Sequence, residues 1–244
     1  MSARVTLATA WRVAAQLRRD RRTLLLVFVV PPALVALLKY AFNEQPQSFE
    51  RVAAPLVGLF PLVLMFLITS IAMLRERTTG TLERLMSMPL AKLDLLAGYG
   101  LAFAAVGAAQ GAITAAIAFG LLGIETAGPV WAVIALAIAN AIVGMALGLL
   151  LSAFARSEFQ AVQFMPAFIL PQLLLGGLFV PRERMPQVLQ TVSDALPFTY
   201  AYEALSKVAA DEIDGRFWLD VVVICACIVL ALVLGAATLG RRTA

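Results

Sequence analysis

The chain has 244 residues, of which 61% are hydrophobic and 14% are charged, and its mean hydropathy is +0.90. This share of polar side chains is too small to cover the surface of a water-soluble globule. The composition therefore excludes a soluble domain and predicts a protein that lies in a lipid bilayer. The formal net charge of +4 comes from basic residues that gather at segment ends, which indicates membrane topology rather than a nucleic-acid partner.

Residues 3–20 precede the first apolar run and have the spacing of an amphipathic helix. Leu7 and Trp11 fall on one side of such a helix, whereas Arg12 and Arg19 fall on the other. This pattern predicts an interfacial helix along the cytoplasmic membrane surface. A basic leader that only sets the topology fits the same residues.

Six apolar runs are long enough to cross a hydrocarbon core of about 30 Å, which takes about 20 helical residues. Lipid offers no partner for backbone hydrogen bonds and the runs lack the alternation of barrel strands, so each run is predicted to be a helix. The sequence therefore predicts an all-α polytopic membrane protein with a single transmembrane domain over 1–244. The six predicted transmembrane helices are 23–42, 52–74, 93–122, 129–154, 160–180 and 217–239.

The lysines and arginines divide unequally between the two sets of span ends. Thirteen lie beside the ends that include both termini, and six lie beside the opposite ends. The positive-inside rule therefore predicts that both termini are cytoplasmic.

The polar stretch 79–88 joins the second and third predicted spans on the cytoplasmic side. Gly80 can end the preceding helix in a left-handed turn or cap a short following helix that stops before Pro89. The spacing fits a helix that fills a groove on a soluble partner and equally one that rests on lipid. The apolar side of this helix is formed by Leu82, Leu85 and Met86, with Glu83 and Arg84 facing away.

Glycines four residues apart begin at Gly107 in the third predicted span and at Gly144 in the fourth. Such pairs let helix backbones approach closely, and we expect packing within the chain, with a dimer seam as the alternative. Gln110 and Asn140 are expected to form hydrogen bonds between these two helices.

The second and fifth predicted spans hold most of the helix-breaking residues of the chain. Pro55 and Pro61 lie in the second span, and Pro166 and Pro171 lie in the fifth. Two helices built to bend fit a moving pair that lines a translocation pathway, whereas prolines that are only packed in the bundle fit the same sequence. The residues expected to line the pathway are Phe60, Met65, Phe66, Gln163, Phe164, Phe168 and Gln172.

Residues 182–215 are too polar to cross the membrane and too long for a turn. They carry apolar residues at helical spacing, and Pro197 divides them into two short amphipathic helices. We expect an external re-entrant helical segment that acts as a cap or gate, or an inert loop.

The chain contains no histidine and only two cysteines, Cys225 and Cys227. It therefore lacks the usual general base and a set of metal ligands, and it has no glycine-rich phosphate loop. We expect no catalytic residues, no metal site and no cofactor bound by this chain.

Four stretches resemble one family of membrane proteins. ERTTGTLERL at 76–85 looks like the cytoplasmic signature of ABC-2 type permeases, the membrane subunits of bacterial ABC exporters of the daunorubicin-resistance and lipo-oligosaccharide type. ARSEFQAVQF at 155–164 and the pair PQLLLGGLFVPRERMP and LPFTYAYEAL at 171–186 and 196–205 look like the distal half of the same family, in the same order.

This resemblance implies a dimeric exporter core of two six-helix halves in a bacterial plasma membrane, each docked onto an ATP-binding subunit by a short coupling helix. Residues 79–88 would be that helix, and the partner subunit would bind ATP and Mg. The ATPase-coupling residues carried over by the resemblance are Thr79, Gly80, Thr81, Leu82, Glu83, Arg84, Leu85 and Met86.

The expected function is therefore a permease subunit that exports an amphipathic drug-like or lipid-like substrate. An apolar pathway with few hydrogen-bonding groups suits such a substrate better than a sugar or an ion. A non-transporting scaffold of an ABC complex is the main alternative, because a docking helix also serves assembly. A secondary transporter is disfavoured, since no acid lies near the centre of a predicted span and no inverted repeat is evident.

Overall fold

A computed structural model of the chain describes residues 2–42, 46–81, 84 and 92–238, and the regular structure in these ranges is helical. A π-helical turn, Ala116–Leu121, continues α4, and a 3₁₀ turn, Arg182–Arg184, precedes α7. The helices are α1 Ala3–Arg19, α2 Arg21–Ala41, α3 Pro46–Thr78, α4 Lys92–Ala115, α5 Val130–Leu151, α6 Glu158–Leu175, α7 Gln187–Asp194, α8 Pro197–Ala209 and α9 Gly215–Ala237.

Within the described residues, five helical segments are long and apolar enough to cross a membrane, which makes the chain a multi-pass membrane protein. The fifth predicted span, 160–180, forms the shorter helix α6 of 18 residues. Three glutamines and two prolines lower its hydropathy, and Gly177, with φ of +98°, lies in the turn that follows the helix. The five segments are Arg21–Ala41, Ala53–Thr78, Asp94–Leu121, Val130–Leu151 and Gly215–Ala237.

Helices α3 and α5 form the centre of the bundle and pack backbone against backbone. A Cβ atom added at Gly144 would lie 2.0 Å from the carbonyl oxygen of Leu62, and one added at Gly148 would lie 2.5 Å from that of Phe66. The glycine pair of α5 therefore packs inside the chain, against α3, as expected for close-packed membrane helices.

The glycine pair of α4 also packs within the chain, with Gly107 and Gly111 lying against Ala141 and Ala137 of α5. The expected hydrogen bonds between these two helices are not present. The Nδ2 atom of Asn140 instead donates to the carbonyl oxygen of Gly58 in α3, at 3.3 Å, because α3 lies closer to that side of α5.

Helix α8 inserts its apolar face between α3, α5 and α9. Ala201, Ala204, Leu205 and Val208 are fully buried, and a Cβ atom at Gly58 of α3 would lie 2.5 Å from the Leu205 side chain. We call this end of the bundle the α8 end and the opposite end, where α1 packs, the α1 end.

Candidate functional site

The expected coupling segment, 79–88, follows the last residue of α3, Thr78. The hydroxyl groups of Thr78 and Thr79 donate to the carbonyl oxygens of Leu74 and Arg75, at 3.1 and 2.7 Å. These bonds give hydrogen-bond partners to carbonyl groups of the last helical turn. Gly80 follows with φ of +71°, a left-handed conformation that costs other residues energy.

Gly80 ends one helix and starts the next turn. Its carbonyl oxygen accepts a hydrogen bond from the backbone N–H of Arg84, at 3.0 Å, while the hydroxyl groups of Thr79 and Thr81 lie 3.1 Å apart. Of the expected coupling residues, Thr79, Gly80, Thr81 and Arg84 are described. The others, Leu82, Glu83, Leu85 and Met86, lie outside the described residues, so the apolar ridge of this segment stays a prediction.

A polar cluster ties the end of α3 to α1 and α4. The Oε1 atom of Glu76 accepts hydrogen bonds from Arg12, at 3.4 Å, and from Gln16, at 3.2 Å. The Arg12 guanidinium also donates to the hydroxyl of Tyr99 in α4. Because Glu76 is only 7% exposed, this carboxylate depends on α1 for its positive partner.

The sequence pattern missed this cluster, because it placed Arg12 on the polar face of α1 without a partner. In the structure Ala10, Val13 and Leu17 pack inward, and Trp11 is 77% exposed. The signal that could have revealed the cluster is the acid at the end of an apolar run, which needs a nearby cation once it is buried.

An ion pair joins the same end of α3 to the start of α6. Arg75 donates to both carboxylate oxygens of Glu158, at 2.6 and 3.0 Å. The hydrogen bond from Arg75 lowers the pKa of Glu158 below its ordinary value, although both side chains remain about half exposed. The end of α3, next to the expected coupling segment, is therefore in contact with α1, α4 and α6.

The expected pathway residues do not form one set. Phe66 and Phe168 stack, with ring centroids 6.1 Å apart, and Phe164 packs in the same core cluster. Met65 is buried in a different cluster near α1, and Phe60 packs in a third. The structure therefore joins α3 and α6 through aromatic packing and divides the apolar members of this set among three core clusters.

The two glutamines of the expected pathway also differ. Gln163 is exposed, whereas Gln172 is 2% exposed, and its Oε1 atom accepts from the backbone N–H of Phe198, at 3.4 Å. Gln172 thus ties the end of α6 to α8.

The α8 end carries its own ion pairs. Arg182 donates to Asp194 and to Glu203, and Lys207 donates to the buried Asp220 of α9, at 3.0 Å. Burial alone would lower the pKa of Arg182, but hydrogen bonds and charge from the two carboxylates outweigh burial and raise it. Among the residues that the structure describes, no three His, Cys, Asp or Glu residues are placed to hold a metal ion.

The described residues thus form a helical membrane bundle whose central helix ends at a glycine turn beside two ion pairs. The family model described as ABC-2 type transporter matches residues 4–209, and the chain belongs to that family.

Individual relatives agree with this assignment. The chain is 22% identical over 203 residues to "ABC transporter G family member 20" of Dictyostelium discoideum, which covers 82% of this chain and 28% of the relative. It is 27% identical over 152 residues to a linearmycin resistance permease protein of Bacillus subtilis, covering 62% and 38%. It is 24% identical over 177 residues to a "Probable multidrug ABC transporter permease" of Escherichia coli, covering 72% and 47%. The matches thus span less than half of the length of each relative.

Proposed function

We propose that the chain is the permease subunit of an ATP-driven exporter that moves an amphipathic drug-like or lipid-like substrate outward across a bacterial plasma membrane. The observation that carries this proposal is the end of α3, where Gly80 begins a helical turn outside the apolar layer. That turn is braced by α1 through Arg12 and Glu76 and by α6 through Glu158. A separate subunit binds ATP and Mg, and a second permease half completes the pathway.

The contacts of α6 support a six-span topology with both termini in the cytoplasm. Helix α6 runs beside α3 from the Arg75–Glu158 pair, past the stacked Phe66 and Phe168, to the level of α8. Arg75 and Gly58 are seventeen residues apart on α3, about 25 Å along a helix, which nearly matches a hydrocarbon core of about 30 Å. In this topology the α1 end is cytoplasmic and the α8 end is external.

The mechanism follows from these contacts. Closure of two ATP-binding subunits displaces the coupling segment 79–88, and the ion pairs transmit the displacement to α1 and α6. Helices α3 and α6, which are joined by the stacked Phe66 and Phe168, then move between inward-open and outward-open arrangements. The names of the bacterial relatives, a probable multidrug permease and a linearmycin resistance permease, support an amphipathic substrate for this chain.

The direct test changes the apolar side of the coupling segment. Replacing Leu82 and Leu85 with aspartate should abolish recovery of the ATP-binding subunit in a detergent pull-down, because charges buried in a groove without partners cost several kcal/mol. The matched control replaces Val188 and Val192, exposed residues of α7 at the other end, with aspartate and should keep full recovery. Undiminished recovery from the first variant would remove the proposed docking role.

A scaffold without transport activity is the second candidate, because the same docking segment serves assembly. Substrate-stimulated ATP hydrolysis by the reconstituted complex distinguishes the two. If the chain is a permease, substrate should stimulate ATP hydrolysis; if it is a scaffold, substrate should have no effect.

A further inference from the structure

A cavity of about 710 Å³ lies between α1, α2, α3 and α4 at the α1 end of the bundle. Most of its wall is apolar, and this wall extends from the polar mouth toward the middle of the bundle. The apolar wall includes Leu26, Val30, Leu64, Leu67, Ile68 and Phe103.

The mouth of the cavity carries charged side chains of both signs. Asp20, Arg75 and Glu76 line it. The hydroxyl and backbone N–H of Thr23 donate to the Asp20 carboxylate, at 2.7 and 3.1 Å, and they lower its pKa, so Asp20 stays ionised near neutral pH.

Negative charge exceeds positive charge among these groups and their ion-pair partners. Arg75 is paired with Glu158, and Glu76 is paired with Arg12 through one oxygen, while its Oε2 atom has no hydrogen-bond partner. Asp20 adds a further carboxylate that its two hydrogen bonds from Thr23 leave negatively charged. Three carboxylates thus face two guanidinium groups.

We propose that this cavity binds an amphipath with an ammonium head, with the head between Asp20 and Glu76 and the aliphatic tail along the apolar wall. Phe103 also lines the cavity and offers an aromatic face to a cation, whereas the ring of Tyr99 already lies under the Arg12 guanidinium, 5.4 Å from the ring centroid. Asp20 and Val30 are ten residues apart, about 15 Å along a helix, which accommodates a chain of about twelve carbons. An anionic head would meet the excess of carboxylates.

This inference rests on the proposed function, because in an exporter the cavity would take up a cationic substrate from the cytoplasmic leaflet. Two sources carry the same chemistry, namely an aminophospholipid of the bilayer and an exported amphipathic amine. Arg21 and Arg22 follow Asp20 in sequence, but both are exposed and neither is among the lining residues.

The test uses the full chain, without any ATP-binding subunit, in nanodiscs of phosphatidylcholine. The probe is dodecylamine with a diazirine in its chain, and the matched anionic probe is dodecanoic acid with the same group. After illumination, mass spectrometry locates labelled peptides. We expect saturable labelling of α2 and α3 by the amine and at least about tenfold weaker labelling by the acid, about 1.4 kcal/mol in binding free energy.

Variants assign the site. Glu76→Gln should reduce amine labelling about tenfold, and Ile68→Trp, which fills the cavity without changing its charge, should abolish it. Glu212→Gln, an exposed carboxylate near the α8 end, should label like the wild type. Equal labelling by both probes, or labelling that survives both cavity variants, would overturn the proposal.

A final arm identifies the source of the ammonium group. Nanodiscs that contain phosphatidylethanolamine should lower amine labelling if a bilayer lipid occupies the cavity and should leave it unchanged if a free amphipath does. Both outcomes keep the ammonium site. Because this assay measures binding alone, its failure would leave coupled ATP hydrolysis, the test of the proposed function, unaffected.

Discussion

Gly80 has a backbone conformation that its neighbours do not share. Its φ of +71° is left-handed, and a side chain there would meet no atom within 4 Å, so the constraint is conformational rather than steric. The site therefore needs a residue that tolerates this conformation more than it needs a small one.

We predict that Gly80→Ala lowers substrate-stimulated ATP hydrolysis of the complex about fivefold or more, because a left-handed alanine costs about 1–2 kcal/mol. Gly80→Asn should lose less activity, since asparagine tolerates this conformation better. Gly215→Ala is the control, because its surroundings are open and its backbone is not left-handed. Equal activity of Gly80→Ala and the control would show that the turn has no role in coupling.

The cluster around Glu76 makes a second prediction at the scale of single residues. Arg12→Gln should destabilise the protein by about 1–3 kcal/mol, because it leaves a buried carboxylate without its cation; the range is reduced because Arg12 is one-third exposed. Glu76→Gln should cost less, and the double variant should regain part of the loss. Thermal unfolding in detergent measures all three, and a larger loss from Glu76→Gln than from Arg12→Gln would contradict the assignment.

At the scale of helices, the approach of α5 to α3 determines how closely the bundle packs. Gly144→Ala should lower stability by about 1–3 kcal/mol or more, because the new methyl group would lie 2.0 Å from a backbone oxygen that has little freedom to move. Gly100→Ala is the matched control in α4, where the nearest atom would be 3.9 Å away. It should be neutral or slightly stabilising, because alanine favours helices. Similar unfolding midpoints for the two variants would contradict this packing.

The link between α3 and α6 depends on charge. Arg75→Glu should impair coupled ATP hydrolysis, and adding Glu158→Arg should restore part of it.

The pKa of Glu158 is lowered in the folded protein by the hydrogen bond from Arg75, so the pair stabilises the fold above the ordinary glutamate pKa and loses that contribution as the pH falls. Wild-type protein should therefore lose more stability than Glu158→Gln as the pH falls from about 5 to about 3, through and below the ordinary glutamate pKa of about 4.3. Parallel losses in both proteins would show that the pair contributes nothing.

For the whole molecule, the orientation of the bundle is the property to measure. A reporter fused after Ala244 should behave as cytoplasmic, and one inserted at Asp211 should behave as external. Asp211 suits insertion because it is exposed in the turn between α8 and α9. The opposite pattern would contradict the proposed topology, because it would place the α1 end outside the cell and the α8 end in the cytoplasm.

The helical architecture was largely predictable from the sequence, because long apolar runs have few other structures open to them in lipid. The left-handed conformation of Gly80 was also predictable, since Gly80 lies between a helix and a polar stretch. The length of α6 was not, because the conformation of Gly177 depends on the chain beyond it, where Tyr202 packs against it.

Contacts between distant residues were the least predictable part of the site. Arg12 and Glu76 are 64 residues apart, and neither residue signals the other in a single sequence. Met65 and Phe66 are adjacent, yet they enter different core clusters because neighbouring side chains on a helix point in different directions. The distribution of the expected pathway residues among core clusters therefore could not be read from the sequence.

The cluster of Arg12, Glu76 and Tyr99 also sets an order for biosynthesis. Arg12 emerges from the ribosome 64 residues before Glu76 and 87 residues before Tyr99. At about 5–20 residues per second, Tyr99 is made about 4–17 s after Arg12. During that interval α1 lacks its contacts with Glu76 and Tyr99. We therefore expect α1 to reach its final position only when α3 and α4 insert.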